Sequence, residues 1–479
     1  MSLVYNCKSG HIYGGLQMAF VPEHIFREYD IRGIANTELT DEFVMSIGHA
    51  FGTWLSARGV RKATLGGDAR LSTKRIKTAA AAGMMKAGIN VTDIGFVSTP
   101  AFYWSLYNLT AGGGIMVTGS HNPMEFNGLK VAYDKATLWG DDIQEILRII
   151  KEDIMVTAEV PGSLRFAGIN EEYLDMLVSK IGLGPRKPKI VCDSGNGTAG
   201  IYAPEFLRRI GCEVTELYSE PDGTFPNHHP DPTKRENLTK LIETVLSEGA
   251  DLGVGFDGDS DRIGAVDDKG QIIWGDRLMA LYWQEILPKN PGAVAICEVK
   301  SSMALPEEVI RLGGRPIWWN SGHSLVKAKM REEKALFSGE VSGHMFFADE
   351  YYGYDDGFYA AGRLCRILSN SDKKLSELMS VIPIYPSTTE TRYDCPDDLK
   401  FGVVDRVKQK ALSEGLDTIT VDGVRIVYDK GWGLVRVSNT QPVLVARCEG
   451  RTEDALEKIC TDMKRRLIEA GSPAFEWEF

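Results

Sequence analysis

Thr118-Gly-Ser-His-Asn-Pro123 puts one hydroxyl where a phosphoryl group could be carried. Gly112-Gly-Gly114 and the apolar run Ile115-Met116-Val117 precede it and read as a buried strand, so Ser120 stands at a strand tip. The glycine before Ser120 leaves room, and Pro123 ends regular structure. Lys130 follows in Asn127-Gly-Leu-Lys-Val131, on the next expected strand after a turn-forming Asn-Gly. A serine with a nearby cation and exposed backbone N–H groups suits a phosphoserine better than a free alkoxide. Alone, the same residues would also make an ordinary polar turn.

Asp257-Gly-Asp-Ser-Asp-Arg262 supplies a second chemistry. Carboxylates at i, i+2 and i+4 of an extended loop project to one side and make a hard oxygen site for a divalent cation. The apolar runs Leu252 to Phe256 and Ile263 to Val266 put this loop at a strand end. An EF-hand also opens D-x-D-x-D, but it needs Gly sixth and Glu twelfth, where this chain has Arg262 and Asp268. An arginine beside three carboxylates makes sense when an anionic phosphate shares the site.

Gly195-Asn-Gly-Thr-Ala-Gly200 matches the dinucleotide pattern G-x-G-x-x-G between an expected strand and helix, with Glu213 and Glu216 further on. It equally suits a tight turn whose glycines serve close helix–sheet packing. Gly339-Glu-Val-Ser-Gly-His344 offers a carboxylate, a hydroxyl and an imidazole, a set able to orient a sugar ring or simply to form a polar loop. Arg436-Val-Ser-Asn-Thr440 offers a guanidinium, hydroxyls and consecutive N–H groups, either a phosphate cradle or a turn between strands.

The elements that must position these loops alternate. Helical spacing over Phe43 to Arg58 and Arg75 to Gly88 brackets a strand at Ala63 to Gly66, and Ile89-Asn-Val91 opens another. Strands are expected at Lys189 to Cys192, Cys212 to Leu217, Gly292 to Val299, Arg315 to Trp319 and Ala335 to Phe337. Helices fall between, at Ala203 to Ile210 and Leu305 to Leu312. This alternation predicts α/β layers with largely parallel sheets. Beyond Pro386 the order changes to a helix over Asp397 to Glu414, short strands, and a helix over Thr452 to Ala470, which predicts a smaller α+β domain.

At 479 residues the chain exceeds one core and should divide into roughly three to five domains. A net charge of -12 argues against a broad nucleic-acid surface. The 8 cysteines form no C-x-x-C pair, so neither a zinc cluster nor a disulfide framework is expected. No run approaches the roughly 18 apolar residues of a membrane span, and no leader is evident, so the cytoplasm is expected.

The order TGSHNP, DGDSDR, GEVSGH, RVSNT, with Phe26-Arg-Glu-Tyr-Asp-Ile-Arg-Gly33 near the start, resembles the α-D-phosphohexomutase superfamily over nearly the whole chain. Within it the chain is most similar to the bacterial phosphomannomutase/phosphoglucomutase branch. That resemblance implies three similar α/β domains with mixed, largely parallel sheets and a C-terminal α+β domain around a central cleft. Their expected bounds are 1–167, 168–271, 272–383 and 384–479. It implies interconversion of hexose 1- and 6-phosphates of mannose or glucose through a phosphoserine at Ser120 and a 1,6-bisphosphate that turns end for end.

Asp257, Asp259 and Asp261 would hold Mg²⁺ with a phosphoryl oxygen on Ser120. Arg32, His121, Lys130 and Arg262 would surround the transferring group, with Lys130 or His323 as general acid/base. Tyr29, Lys300, Gly322, His323, Glu340, Ser342 and His344 would contact the sugar phosphate, and Arg436, Ser438, Asn439 and Thr440 the non-reacting phosphate. Glucose or mannose 1,6-bisphosphate would act as activator, on a monomer or small homo-oligomer with no nucleic-acid or membrane partner. A mobile C-terminal domain would close the cleft. The branch usually has Gly at Ser260, whose side chain should point away from the metal, and Met at Val341. Gln441 follows Thr440 where Glu or Thr is more usual. Gln at the Val341 position marks the amino-sugar branch, so glucose and mannose together are expected. The same resemblance carries a Gly-Asn-Gly turn, which takes most support from a nicotinamide site. A phosphatase would have no use for a second phosphate cradle, and a silent binding relative would have lost Ser120 or an aspartate.

Overall fold

Four sheets follow one another along the chain, in a computed structural model that describes residues 21–438 and 441–479. The first holds β1 (Ile31–Ile34), β2 (Lys62–Gly67), β3 (Asn90–Phe96), β4 (Gly113–Val117), β5 (Phe126–Tyr133), β6 (Ala136–Thr137) and β7 (Leu164–Phe166). Its order is β1-β5-β4-β2-β3-β7, with β6 on β5. The second runs β12-β11-β10-β8-β9, from β8 (Lys189–Asp193), β9 (Glu213–Leu217), β10 (Leu252–Phe256), β11 (Ile263–Asp267) and β12 (Ile272–Ile273). The third runs β14-β13-β15-β16, from β13 (Val294–Glu298), β14 (Arg315–Trp319), β15 (Phe337–Gly339) and β16 (Met345–Phe347). The fourth runs β17-β21-β20-β19-β18, from β17 (Thr391–Asp394), β18 (Thr418–Ile419), β19 (Val424–Tyr428), β20 (Gly431–Val437) and β21 (Val443–Gly450).

The first three sheets share one plan. Parallel strands build the interior (β4-β2-β3, β10-β8-β9, β15-β13-β14), and one strand of each set then pairs antiparallel with its successor (β4 with β5, β10 with β11, β15 with β16). The fourth sheet is antiparallel throughout, as the change of pattern after Pro386 predicts. Three of the candidate loops are therefore hairpin links between neighbouring antiparallel strands, 118–125, 257–262 and 340–344, and Ser438 follows β20 where it pairs antiparallel with β21.

Two expectations shift. The strand expected from Ala335 begins at Phe337 and reaches Gly339, because helix His323–Glu333 closes through Lys334 (φ +53°) and the Ala335 N–H, which donates to Met330 O at 2.9 Å. Beyond the expected boundary at 271, β12 still pairs with β11 and belongs to the second sheet.

One buried core backs the first sheet, while a larger one runs from helix Thr99–Asn108 through the second and third sheets. The C-terminal unit has its own core and meets the third through buried Val299, Trp432 and Leu434. Helix Asp41–Ala57, capped by Thr40 Oγ1 on Phe43 N–H at 3.3 Å, packs directly on helix Thr73–Lys86. A Cβ on Gly83 would stand 2.1 Å from Met45 O. Gly83→Ala should therefore lower the unfolding free energy by about 1–3 kcal/mol in denaturant titration, despite the better helix propensity of Ala. Unchanged stability would show that these helices separate freely.

Candidate active site

Ser120 sits in the hairpin between β4 and β5, buried and in the left-handed region (φ +48°), a conformation costing a non-glycine residue about 1–2 kcal/mol. The surroundings hold it there. Its N–H donates to Thr118 Oγ1 at 2.8 Å, and the buried Arg70 guanidinium donates to four loop carbonyls. These are Ser120 O at 2.7 Å, Asn122 O at 2.5 Å, Pro123 O at 2.6 Å and Phe126 O at 2.9 Å. Arg70 fills the space over Gly119, where a Cβ would lie 2.6 Å from its Cζ. Ser120 Oγ donates to Asp257 Oδ2 at 2.9 Å and lies 3.0 Å from His121 Nδ1. Burial, then Arg262 and Arg32, hold the His121 imidazole well below its ordinary value. Arg32 donates to Asn122 Oδ1 at 2.7 Å and pairs with Asp30.

Asp257, Asp259 and Asp261 are fully buried and offer three oxygens within 4.8 Å of one another. Lys130 Nζ donates to Asp259 Oδ2 at 2.7 Å and Asp261 Oδ2 at 2.5 Å, and Thr99 Oγ1 donates to Asp259 Oδ2 at 2.6 Å. Asp259 Oδ1 and Asp261 Oδ1 are buried without a hydrogen-bond partner. Burial, then repulsion from Asp259 and Asp261, pushes the Asp257 carboxyl well above the carboxylate range. Burial would lower the Lys130 ammonium, but Asp259 and Asp261 outweigh it and raise the value. Bare, hard oxygens in excess of the cations around them are the donor set of a divalent cation, so these residues fit one. Lys130 thus rests on the Asp259 and Asp261 carboxylates rather than on Ser120.

The turn at Gly195 to Gly200 braces this hairpin. Thr198 N–H donates to Gly258 O at 3.0 Å, and a Cβ on Gly197 would stand 2.8 Å from that same oxygen. Ser260 (φ +66°) turns its hydroxyl to Thr198 Oγ1 at 2.8 Å, away from the carboxylates.

Arg262 joins this centre to the third hairpin. Its N–H donates to Asp257 Oδ1 at 3.2 Å and its Nε to His344 Nε2 at 3.0 Å. The His344 ring stacks on His323 at 5.4 Å between centroids, and burial followed by Lys327 holds the His323 imidazole well below its ordinary value. Glu340 accepts the Gly322 N–H at 2.5 Å, and burial with Glu298 nearby raises its carboxyl. Ser342 sits in the same hairpin. Gly322 (φ +124°) lies under Tyr29, whose hydroxyl donates to Ser321 O at 3.0 Å.

The remaining predicted residues lie toward the fourth unit. Lys300 Nζ bridges Glu298 Oε1 at 3.1 Å and Glu390 Oε2 at 2.9 Å. Arg436 Nε donates to Asp422 Oδ2 at 2.8 Å, and that oxygen also accepts the Ser321 N–H at 3.2 Å. Ser438 Oγ accepts the Gln441 N–H at 3.2 Å, while Asn439 and Thr440 lie outside the described residues. Sequence reasoning missed Arg70, Asp355, Lys327 and Asp422. The signals available were the charged pair in Gly66-Gly-Asp-Ala-Arg70 after a strand and the acidic pair Asp355-Asp356 before a glycine.

A buried serine against a carboxylate set able to hold a divalent cation, with arginines around it, suits phosphoryl transfer on an α/β scaffold. Four family models match in order, described as phosphoglucomutase/phosphomannomutase alpha/beta/alpha domains I (23–156), II (171–270) and III (274–385) and the C-terminal domain (390–466). A Pseudomonas aeruginosa phosphomannomutase/phosphoglucomutase is 43% identical over 449 residues, covering 93% of this chain and 96% of that protein. A Neisseria meningitidis phosphoglucomutase is 41% identical over 462 residues, covering 96% and 100%. The crystal structure of a Burkholderia thailandensis phosphoglucomutase/phosphomannomutase family protein, 39% identical, superposes with a TM-score of 0.90 over 96% of this chain and 100% of that one. The chain belongs to the phosphoglucomutase/phosphomannomutase family and is a phosphohexomutase.

Arg70→Lys keeps the charge but cannot span four carbonyls. It should lower kcat by up to about 10²-fold, as misplacement of a reacting group does, while the protein stays folded. A coupled mutase assay beside a thermal melt measures both, and undiminished turnover would remove the loop-holding role.

Proposed function

We propose that Ser120 carries the phosphoryl group in a hexose 1-phosphate/6-phosphate mutase acting on both glucose and mannose. The observation that carries this reading is the Ser120 hydroxyl, 2.9 Å from Asp257 Oδ2, a member of a carboxylate triad whose other two residues keep bare oxygens. In the first half-reaction the Ser120 Oγ–P bond breaks as a sugar hydroxyl oxygen bonds to phosphorus, giving a 1,6-bisphosphate. The sugar hydroxyl's proton passes to a base. His323 suits that task, because a buried imidazole held well below its ordinary value is neutral at pH 7. The bisphosphate then turns end for end; the bond between its other phosphorus and the sugar oxygen breaks as that phosphorus bonds to Ser120 Oγ, and the base returns its proton to the freed sugar oxygen.

Asp257, Asp259 and Asp261 would hold Mg²⁺, which supplies charge neutralisation at the transferring oxygens. Arg32 and Arg262 bring cationic charge to the same place. Glu340 and Ser342 grip ring hydroxyls away from C2, which explains why epimers at C2 would both be accepted. Lys300, Arg436 and Ser438, with Asn439 and Thr440, receive the phosphate that is not reacting. Glucose or mannose 1,6-bisphosphate primes the serine. We place the enzyme in the cytoplasm as a monomer or small homo-oligomer, without nucleic-acid or membrane partners. The net charge of -12 argues against a broad nucleic-acid surface, and no helix among the described residues is long and apolar enough to cross a membrane.

Intact mass before and after incubation with glucose 1,6-bisphosphate and Mg²⁺ tests the reading, beside Ser120→Ala. One phosphoryl group gained by the parent and absent from the variant is expected. A folded parent that is never phosphorylated would overturn the cycle. Chelation of divalent cations should also stop turnover, and added Mg²⁺ should restore it; turnover that persists in chelator would remove the metal from the cycle.

A further inference from the structure

We propose that Asp355 is a positioning residue for phosphoryl transfer: it fixes the ring of His344, which aims Arg262 at the transferring group. This rests on the role given above to Arg262. An arginine only donates hydrogen bonds, so the 3.0 Å contact from Arg262 Nε makes His344 Nε2 the bare nitrogen. The ring proton then belongs to Nδ1, which lies in ionic contact 3.0 Å from Asp355 Oδ2 and 3.5 Å from Asp261 Oδ1, although neither Nδ1 nor Asp355 Oδ2 completes a hydrogen bond. Asp355 is fully buried. Its other oxygen accepts Lys327 Nζ at 2.9 Å, and Oδ2 lies 3.8 Å from His323 Nδ1, so one carboxylate meets both stacked imidazoles.

The backbone reinforces the arrangement. Arg262 pairs with His344, and Phe346 with Asp355, as isolated β-bridges. The next residue, Asp356, caps helix Gly357–Ser369 by accepting the Tyr359 N–H at 2.9 Å. It also takes the hydroxyls of Tyr173 at 2.6 Å and Tyr351 at 2.7 Å, so the turn carrying Asp355 is anchored on both sides. Outer partners that orient a working imidazole are typically worth about 10–100-fold in function.

The competing account is that Asp355 only neutralises Lys327. Asp355→Asn and the double variant Lys327→Met/Asp355→Asn separate the two. Positioning predicts that kcat falls about 10–100-fold in both, while KM for the hexose phosphate changes less than about threefold. Near-parental kcat in folded Asp355→Asn, or recovery in the double variant, would overturn the proposal. Should Asp355→Asn not fold, ¹⁵N NMR of the parent protein decides. A His344 ring protonated on Nδ1 is expected, and a ring protonated on Nε2 instead would overturn it. Failure of the phosphoserine cycle would register separately, as a parent that takes up no phosphoryl group in the mass experiment.

Discussion

Three carboxylates held within 4.8 Å of one another and shut away from water are the constraint on which the rest of the site depends. At that separation each pair of full charges repels by about 3–4 kcal/mol at an effective dielectric near 20. Lys130 and Arg262 offset part of this, Thr99 donates one more hydrogen bond, and a doubly charged cation would complete the balance. Such a cluster survives only where the backbone leaves it no escape. That is the task of the braces around the second hairpin, which reach it from the first sheet's helix through the Thr99 N–H on Asp259 O at 2.9 Å.

The braces follow one rule in all three α/β units. The strand beside the hairpin, parallel to its first arm, ends in a segment that grips it. After β2 comes Arg70, bonded to the carbonyls of the first hairpin. After β8 comes Thr198, bonded to Gly258 and Ser260 of the second. At the end of β13 stands Glu298, which accepts the Val341 N–H of the third at 2.8 Å. Parallel neighbours end at the same edge of a sheet, so the loop of one naturally supports the loop of the other.

This explains what the sequence could and could not reveal. Ser120 and the aspartates were legible because their chemistry needs particular residue types within a few positions, between apolar runs of strand length. Helix and strand positions followed from periodicity and were displaced by a residue or two at their ends. The strand near Ala335 slipped by two residues at both ends, because a helix ending in a left-handed lysine leaves no proline or glycine to mark the stop. The braces were hidden by distance along the chain: Arg70 lies 50 positions from Ser120, and Lys130 lies 129 from Asp259. A bond between residues so far apart leaves no local pattern. For the same reason the G-x-G-x-x-G run was ambiguous, since packing against Gly258 calls for glycine as strongly as a pyrophosphate would.

Because the loops that carry Ser120, the three aspartates and Glu340 are hairpins between adjacent antiparallel strands, each belongs to its own sheet and none is threaded through another. An exchange at Val341 or Ser342 can alter which sugar is gripped while the strands flanking Ser120 keep their register and His344 keeps its bond to Arg262. The molecule is in this sense four fingers on one palm, with the second and third joined through Arg262 and His344. A lineage built on it could change its diet of sugars without relearning how to move a phosphate.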